Sequence, residues 1–286
     1  MNLIRKNSCD GKYTSLDVRF TKKCDNDCSF CIEKAGLDSL GKTNVNKLIK
    51  STIDSEIKDV LILGGEPFLY VDDLLKYVNG IRKYVDDIYI TTALPNTFIK
   101  NKETINKIIN LIDGLNISIQ STDWEENNKI LVASSNHNRL NILKDLNKLY
   151  SDKIRTSINL VKNGIDTKRK LIKTLKDLEK YGCKYIKINE LQSDSSYISF
   201  EKIMNKKYLS PYAFGCNKHI KIKNINSKLL LKRSCFLVED KNNASIADVI
   251  KIVFKKYIYD KYFPSKNIFK VLYENGELKN KWMKNE

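Results

Sequence analysis

The chain has 286 residues, 42% of them hydrophobic, which suits one medium domain with a modest appendage or two small domains. No apolar run reaches the roughly 18 residues of a membrane span. The N-terminus, Met1-Asn2-Leu3-Ile4-Arg5-Lys6-Asn7-Ser8, turns polar at once, so no secretory signal or membrane association is expected and the expected location is the cytoplasm. The formal charge of +17 is carried mostly by lysine and interleaved with acids, so it reads as a diffuse surface property; it permits an RNA partner without specifying one.

Up to about residue 200, strand and helix patterns alternate. Leu16–Phe20 reads as a strand, and Val45, Leu48, Ile49 and Ile53 mark one face of a helix running to Ile57. Val60–Leu63 is a short continuous apolar run, as in a strand buried on both faces. Val71, Leu74, Leu75, Val78 and Ile81 repeat at helical spacing, Ile88–Ile90 is a third strand, and a helix through Ile105, Ile108, Ile109 and Ile112 closes at Gly114. Strand Leu115–Ile119, helix Leu140–Leu149, strand Thr156–Val161, helix Lys168–Tyr181 and strand Tyr185–Ile188 complete the series. Six strand–helix units imply a parallel sheet that right-handed crossovers curl into a partial (β/α)6, TIM-like barrel, with functional residues at the C-terminal strand ends. After Pro211, His219–Lys223 and Leu229–Lys232 read as a hairpin around Asn224–Ser227. A helix capped at Ser245 runs to about Tyr257, and the tail from Pro264 is mixed and charged. The expected division is a core over residues 1–210 and a small α+β appendage over 211–286.

Seven cysteines, an odd number, argue against a disulfide framework and for metal or redox chemistry. Cys24, Cys28 and Cys31 stand directly after the first strand in a C-x3-C-x2-C spacing. Thiolates are the usual ligands of iron–sulfur clusters, whereas zinc sites usually take four ligands in two pairs, and no second pair lies nearby. Three ligands on a four-iron cluster leave one iron open to a substrate or cofactor. A second signature follows the second strand: Gly64-Gly65-Glu66-Pro67. Two glycines permit close backbone approach to a ligand, and a carboxylate can pair with an ammonium group.

These two motifs, with Phe30 just before the last cysteine, resemble the radical S-adenosylmethionine (SAM) superfamily. The resemblance implies a [4Fe–4S] cluster on Cys24, Cys28 and Cys31, with SAM bound at the open iron and its amino end at Gly64–Pro67. It implies reductive cleavage of SAM to a 5′-deoxyadenosyl radical that abstracts a hydrogen from substrate. It further implies an electron donor such as flavodoxin or ferredoxin, and sensitivity to oxygen.

Period two puts Asn116, Ser118 and Gln120 on one face of the fourth strand, and Arg155, Ser157 and Asn159 on one face of the fifth. In similar enzymes the fourth strand contacts SAM, so Ser118 and Gln120 are candidate cofactor contacts or satisfied interior polar groups. Arg155 is a carboxylate clamp or a strand-end ion pair, and Asn159 shares its face. Thr91, Thr92, Lys187, Asn189 and Glu190 approach the same mouth. Cys216 and Cys235 flank the hairpin in a way that looks like a degenerate twitch or SPASM appendage. No cysteine follows Cys235, and an auxiliary cluster would need Cys183 or Cys9. The pair reads as hydrogen-atom donors or as inert buried thiols. Tyr197, Tyr208, Tyr212 and Phe214 bridge core and appendage by packing. The leading substrate class is a small, nucleotide-like metabolite. The chain end, Lys281–Glu286, lacks the Gly-Gly tail of the molybdenum-cofactor cyclase. A peptide-modifying maturase, an RNA-modifying enzyme and a non-catalytic iron–sulfur protein are the alternatives.

Overall fold

The apolar runs of the sequence become the centre of one sheet. In a computed structural model the protein is described over residues 15–31, 42–191, 198–205, 217–232 and 269–279. Strands β1 (Ser15–Thr21), β2 (Asp59–Gly64), β3 (Asp87–Thr92), β4 (Gly114–Ser118), β5 (Ile154–Leu160) and β6 (Tyr185–Glu190) run parallel in sequence order. Helices α1 (Val45–Asp54), α2 (Val71–Ile81), α3 (Thr97–Lys100) with α4 (Lys102–Leu111), α5 (Trp124–Leu131) with α6 (Arg139–Tyr150), and α7 (Lys168–Lys180) connect them. This is a mixed α/β fold with a parallel sheet, consistent with the partial barrel implied by the alternation.

Alternate residues of each strand divide the work. Leu16, Val18 and Phe20 in β1, Val60 and Ile62 in β2, and Leu115 and Ile117 in β4 join one buried core with the helices. The Phe20 ring packs on Tyr77 of α2, centroids 5.8 Å apart. The intervening positions, among them Arg19, Tyr89, Asn116, Ser118, Ser157 and Lys187, take the opposite face of the sheet, which is therefore strongly polar.

Gly114 does not close a helix. Helix α4 ends at Leu111, and Gly114 opens β4, where an added methyl would lie 2.7 Å from the Tyr89 ring. Helix α5 was absent from the periodicity and is set by its ends: the Asp123 carboxylate accepts from Glu126 N at 2.9 Å. A short α8 (Phe200–Met204) follows β6, and Glu190 is committed to it, accepting from Phe200 N at 2.8 Å.

The sheet continues beyond the six strands at both ends. The expected hairpin is β7 (Asn217–Ile220) and β8 (Lys228–Lys232), with β8 parallel to β6 and β7 antiparallel to β8. At the other end β9 (Phe269–Leu272) lies parallel to β1, and β10 (Leu278–Lys279) turns back on β9. The mixed, charged tail thus supplies two strands that the pattern did not reveal. The order is β10-β9-β1-β2-β3-β4-β5-β6-β8-β7. Among the described residues no helix is long and apolar enough to cross a membrane. Cys9, Cys216, Cys235, the aromatic bridge of Tyr197, Tyr208, Tyr212 and Phe214, and the helix expected over Ser245–Tyr257 lie outside the described residues.

Candidate active site at the C-terminal strand ends

The loop after β1 is held from two sides. On one side the glycine loop after β2 is stitched to it: Gly65 N donates to Thr21 O at 2.6 Å and Glu66 N donates to Lys23 O at 2.8 Å. This approach needs both glycines. Gly64 has φ +128°, outside the range of ordinary side chains, and a methyl on Gly65 would fall on the Lys23 carbonyl, 2.5 Å from its carbon. On the other side the loop lies on the end of α5. Asp27 N donates to the carbonyls of Leu131 at 3.0 Å and Val132 at 3.2 Å, and Ser134 N donates to Asp25 O at 2.8 Å.

Cys24 is exposed, and Cys28 and Cys31 are half-exposed, as is Phe30 beside them; none of these thiols is in a disulfide. The Cys28 thiol donates to Leu131 O at 3.4 Å. Among the described residues no three such side chains are drawn together as a closed metal site. The donor set nonetheless fits an iron–sulfur cluster: three accessible thiols share one short loop. Buried polar atoms of the cysteine loop, Asp25 Oδ1 and Asn26 Nδ2, and of the segments after β4, Gln120 Oε1 and Asn127 Nδ2, have no hydrogen-bond partner among the described residues. Such orphans suit a site that receives a polar ligand.

Glu66 is 1% exposed and its carboxylate is turned into the protein. Oε1 accepts from Phe68 N at 3.1 Å and Thr92 Oγ1 at 2.9 Å, and Oε2 accepts from Ala93 N at 2.7 Å. Burial pushes its carboxyl up to about 7 against the pull of these three donors. Glu66 therefore ties the glycine loop to the end of β3 and caps the short turn Pro67–Tyr70, with Pro67 at its first position.

Ser118, half-buried, ends β4, and Gln120, 2% exposed, follows it. Asn127 of α5, fully buried, accepts from Gln120 N at 2.7 Å and Ser121 N at 3.3 Å, and so fixes the backbone there. The sequence reading missed Asn127, although the Asp123–Glu126 capping spacing marked its helix. Asn159 and Ser157 both accept from Asn189 Nδ2, at 3.1 and 2.7 Å, which ties β5 to β6 near their C-terminal ends. Arg155 sits lower, second in β5, and its Nε donates to Asn116 Oδ1 at 2.7 Å. Cys183 is buried on the helix side, its sulfur accepting from Thr156 Oγ1 at 3.1 Å and Asn147 Nδ2 at 3.3 Å, far from the role of a cluster ligand. Arg139, fully buried at the start of α6, was also missed: its guanidinium touches the cysteine loop.

Comparison with known proteins points the same way. Residues 18–178 match the family described as Radical SAM superfamily. A GTP 3′,8-cyclase of Campylobacter jejuni is 30% identical over 123 residues, 41% of this chain and 38% of that protein. A probable GTP 3′,8-cyclase of Pyrococcus abyssi is 28% identical over 113 residues, 38% of this chain and 36% of that protein. The matches thus span well under half the length of these relatives. Streptococcus suis SuiB bound to S-adenosylmethionine superposes with a TM-score of 0.60 at 16% identity, over 94% of this chain and 60% of that one. A radical SAM methyltransferase from Sphaerobacter thermophilus gives 0.52 at 13% identity, over 68% and 60%.

Proposed function

This chain belongs to the radical SAM superfamily and is an enzyme, and from that premise we propose that Cys24, Cys28 and Cys31 hold the family's [4Fe–4S] cluster, with S-adenosylmethionine beside the Gly64–Pro67 backbone. The substrate we propose is a small, polar, nucleotide-like metabolite. When bound, the cluster and SAM would supply a 5′-deoxyadenosyl radical able to abstract a hydrogen from substrate. The chain's own residues orient and enclose. Gly64 and Gly65 give a backbone cradle, Glu66 keeps that cradle on β3, and Asn127 holds the Gln120–Ser121 backbone at the mouth. The polar face of the sheet, with Ser118, Ser157, Asn159 and Asn189, suits a substrate rich in hydroxyl or amide groups.

The observation that carries this reading is the pair of backbone bonds, Gly65 N to Thr21 O and Glu66 N to Lys23 O, that sets the cysteine loop and the glycine loop side by side. The test is anaerobic. The full chain is reconstituted with iron and sulfide, given SAM and dithionite, and 5′-deoxyadenosine is quantified against a Cys28→Ala control. Formation that requires the intact triad supports the reading. A cluster that assembles but never cleaves SAM, with metabolite, peptide or RNA present, overturns it in favour of a non-catalytic iron–sulfur protein.

A second reading, a peptide-modifying enzyme, draws on β7, which ends the described sheet and offers an edge to which an extended peptide could add. Faster 5′-deoxyadenosine formation with peptides than with nucleotides would favour it.

A further inference from the structure

Arg139 is the first residue of α6, and its side chain is fully buried. A guanidinium is costly to remove from water unless its donors and its charge are both used. Here the donors reach three segments, two of them remote in sequence. Nε donates to Ala93 O at 2.9 Å, Nη1 donates to Asn128 Oδ1, and Nη2 donates to Asn26 Oδ1 at 3.2 Å. Nη2 also lies 3.9 Å from Asp25 Oδ2. The Ala93 residue that accepts from Arg139 through its carbonyl donates through its N–H to Glu66 at 2.7 Å. A continuous path therefore runs from Glu66 through Ala93 and Arg139 to Asn26 and Asp25. It joins the glycine loop to the cysteine loop through side chains, in addition to the backbone stitches.

The charge has counterparts as well. Burial lowers the Arg139 pKa, and Asp25, Glu66, Cys28 and Cys24 act against that shift, so all four lie within electrostatic reach. A neutral amide could replace some of the hydrogen bonds but not the field.

We propose that Arg139 is a positioning residue for the cluster: it clamps the Cys24–Cys31 loop against the end of β3, and its buried positive charge makes a cluster on that loop easier to reduce. The inference rests on the reading of Cys24, Cys28 and Cys31 as iron ligands. Reduction adds one negative charge to the site, so a fixed cation beside it favours the reduced form. For one unit charge acting through the effective dielectric of a protein, an effect of about tenfold in the one-electron equilibrium is expected. That corresponds to about 59 mV.

The test uses the full chain reconstituted anaerobically, as wild type, Arg139→Gln, Arg139→Lys and Asp25→Asn. Two quantities are read: iron release to a chelator, and the midpoint of a dithionite titration followed by electron paramagnetic resonance. In that titration dithionite supplies the single electron, and no bond is made or broken. Arg139→Gln is expected to release iron about tenfold faster and to shift the equilibrium about tenfold toward the oxidised form. Arg139→Lys keeps the charge and loses the fork, so it is expected to release iron faster with a midpoint close to wild type. Asp25→Asn is expected to shift the midpoint the opposite way from Arg139→Gln. It carries the electrostatic test alone if Arg139→Gln does not fold.

A midpoint unmoved in Arg139→Gln, equal shifts in the Gln and Lys variants, or an Asp25→Asn midpoint identical to wild type would each overturn the proposal. A wild-type chain that takes up no iron would remove the cluster reading and this inference together. A reducible wild-type cluster that ignores Arg139 would remove this inference alone.

Discussion

Replacing Gly65 with alanine should separate the two loops on which the site depends. The added methyl would sit 2.5 Å from the Lys23 carbonyl carbon and 2.7 Å from the Lys22 oxygen, where ordinary contact begins at 3.4 Å. Both neighbours are backbone, so no side chain can swing aside. Relief requires the glycine loop and the cysteine loop to part, which breaks the bonds from Gly65 N to Thr21 O and from Glu66 N to Lys23 O. Each contributes about 1 kcal/mol, and overpacking against a rigid neighbour costs about 1–3 kcal/mol, so a destabilisation of about 3–5 kcal/mol is expected. The assay is denaturant unfolding of the full chain without iron, paired with iron uptake on reconstitution. Gly182→Ala is the control. Gly182 has φ +81°, but a methyl there would meet only Asn147 Cβ, at 3.4 Å. It should cost about 1 kcal/mol, the left-handed backbone penalty alone, and leave iron uptake unchanged. If Gly65→Ala unfolds within about 0.5 kcal/mol of wild type and loads iron normally, the close approach of the loops is not what holds the site.

Other perturbations test neighbouring parts. Glu66 has a folded pKa of about 7, above its unfolded value of 4.5, so its contribution to stability is complete below about pH 4.5 and is lost as pH rises through 7. The loss is at most about 3 kcal/mol, and unfolding of wild type relative to Glu66→Gln across pH 4.5–8 should show it; a pH-independent difference would contradict the burial argument. Cys183→Ala should destabilise the chain by about 1–3 kcal/mol, by stranding the Thr156 hydroxyl and leaving the Asn147 amide only its bond to Tyr181 O, while iron uptake stays at the wild-type level; reduced uptake would make Cys183 more than structural. Val132 is a β-branched residue at φ +47° and 52% exposed, so Val132→Asn should raise stability by about 1 kcal/mol, measured by thermal unfolding, and a loss would mean that the strained backbone is held by the valine side chain.

The six parallel strands were legible because each carries enough apolar residues to declare a buried face. The cysteine spacing and the glycine loop were legible because both are local in sequence. What escaped notice depends on distance or brevity. Helix α5 has too few apolar positions to show a period, and only its Asp123 cap betrays it. Strands β9 and β10 are four and two residues long and exist because β1 offers an edge. Arg139 reads in sequence as an ordinary surface cation at a helix start, and its burial follows from three segments meeting there. The bonds that the Phe68 and Ala93 amides make to the Glu66 carboxylate are likewise invisible in sequence, because no spacing rule encodes them. The expected roles of Cys216 and Cys235 lie outside the described residues.

The pairing of β9 with β1 sets Ser15 opposite Phe269. During synthesis the strand that carries the cysteine loop therefore waits for its outer neighbour until about 250 further residues have been made, on the order of ten to fifty seconds at ordinary translation rates. Throughout that interval one edge of β1 is an open template for another chain. The same interval leaves the three thiols on a nascent polypeptide whose sheet still lacks its outer strand beside β1.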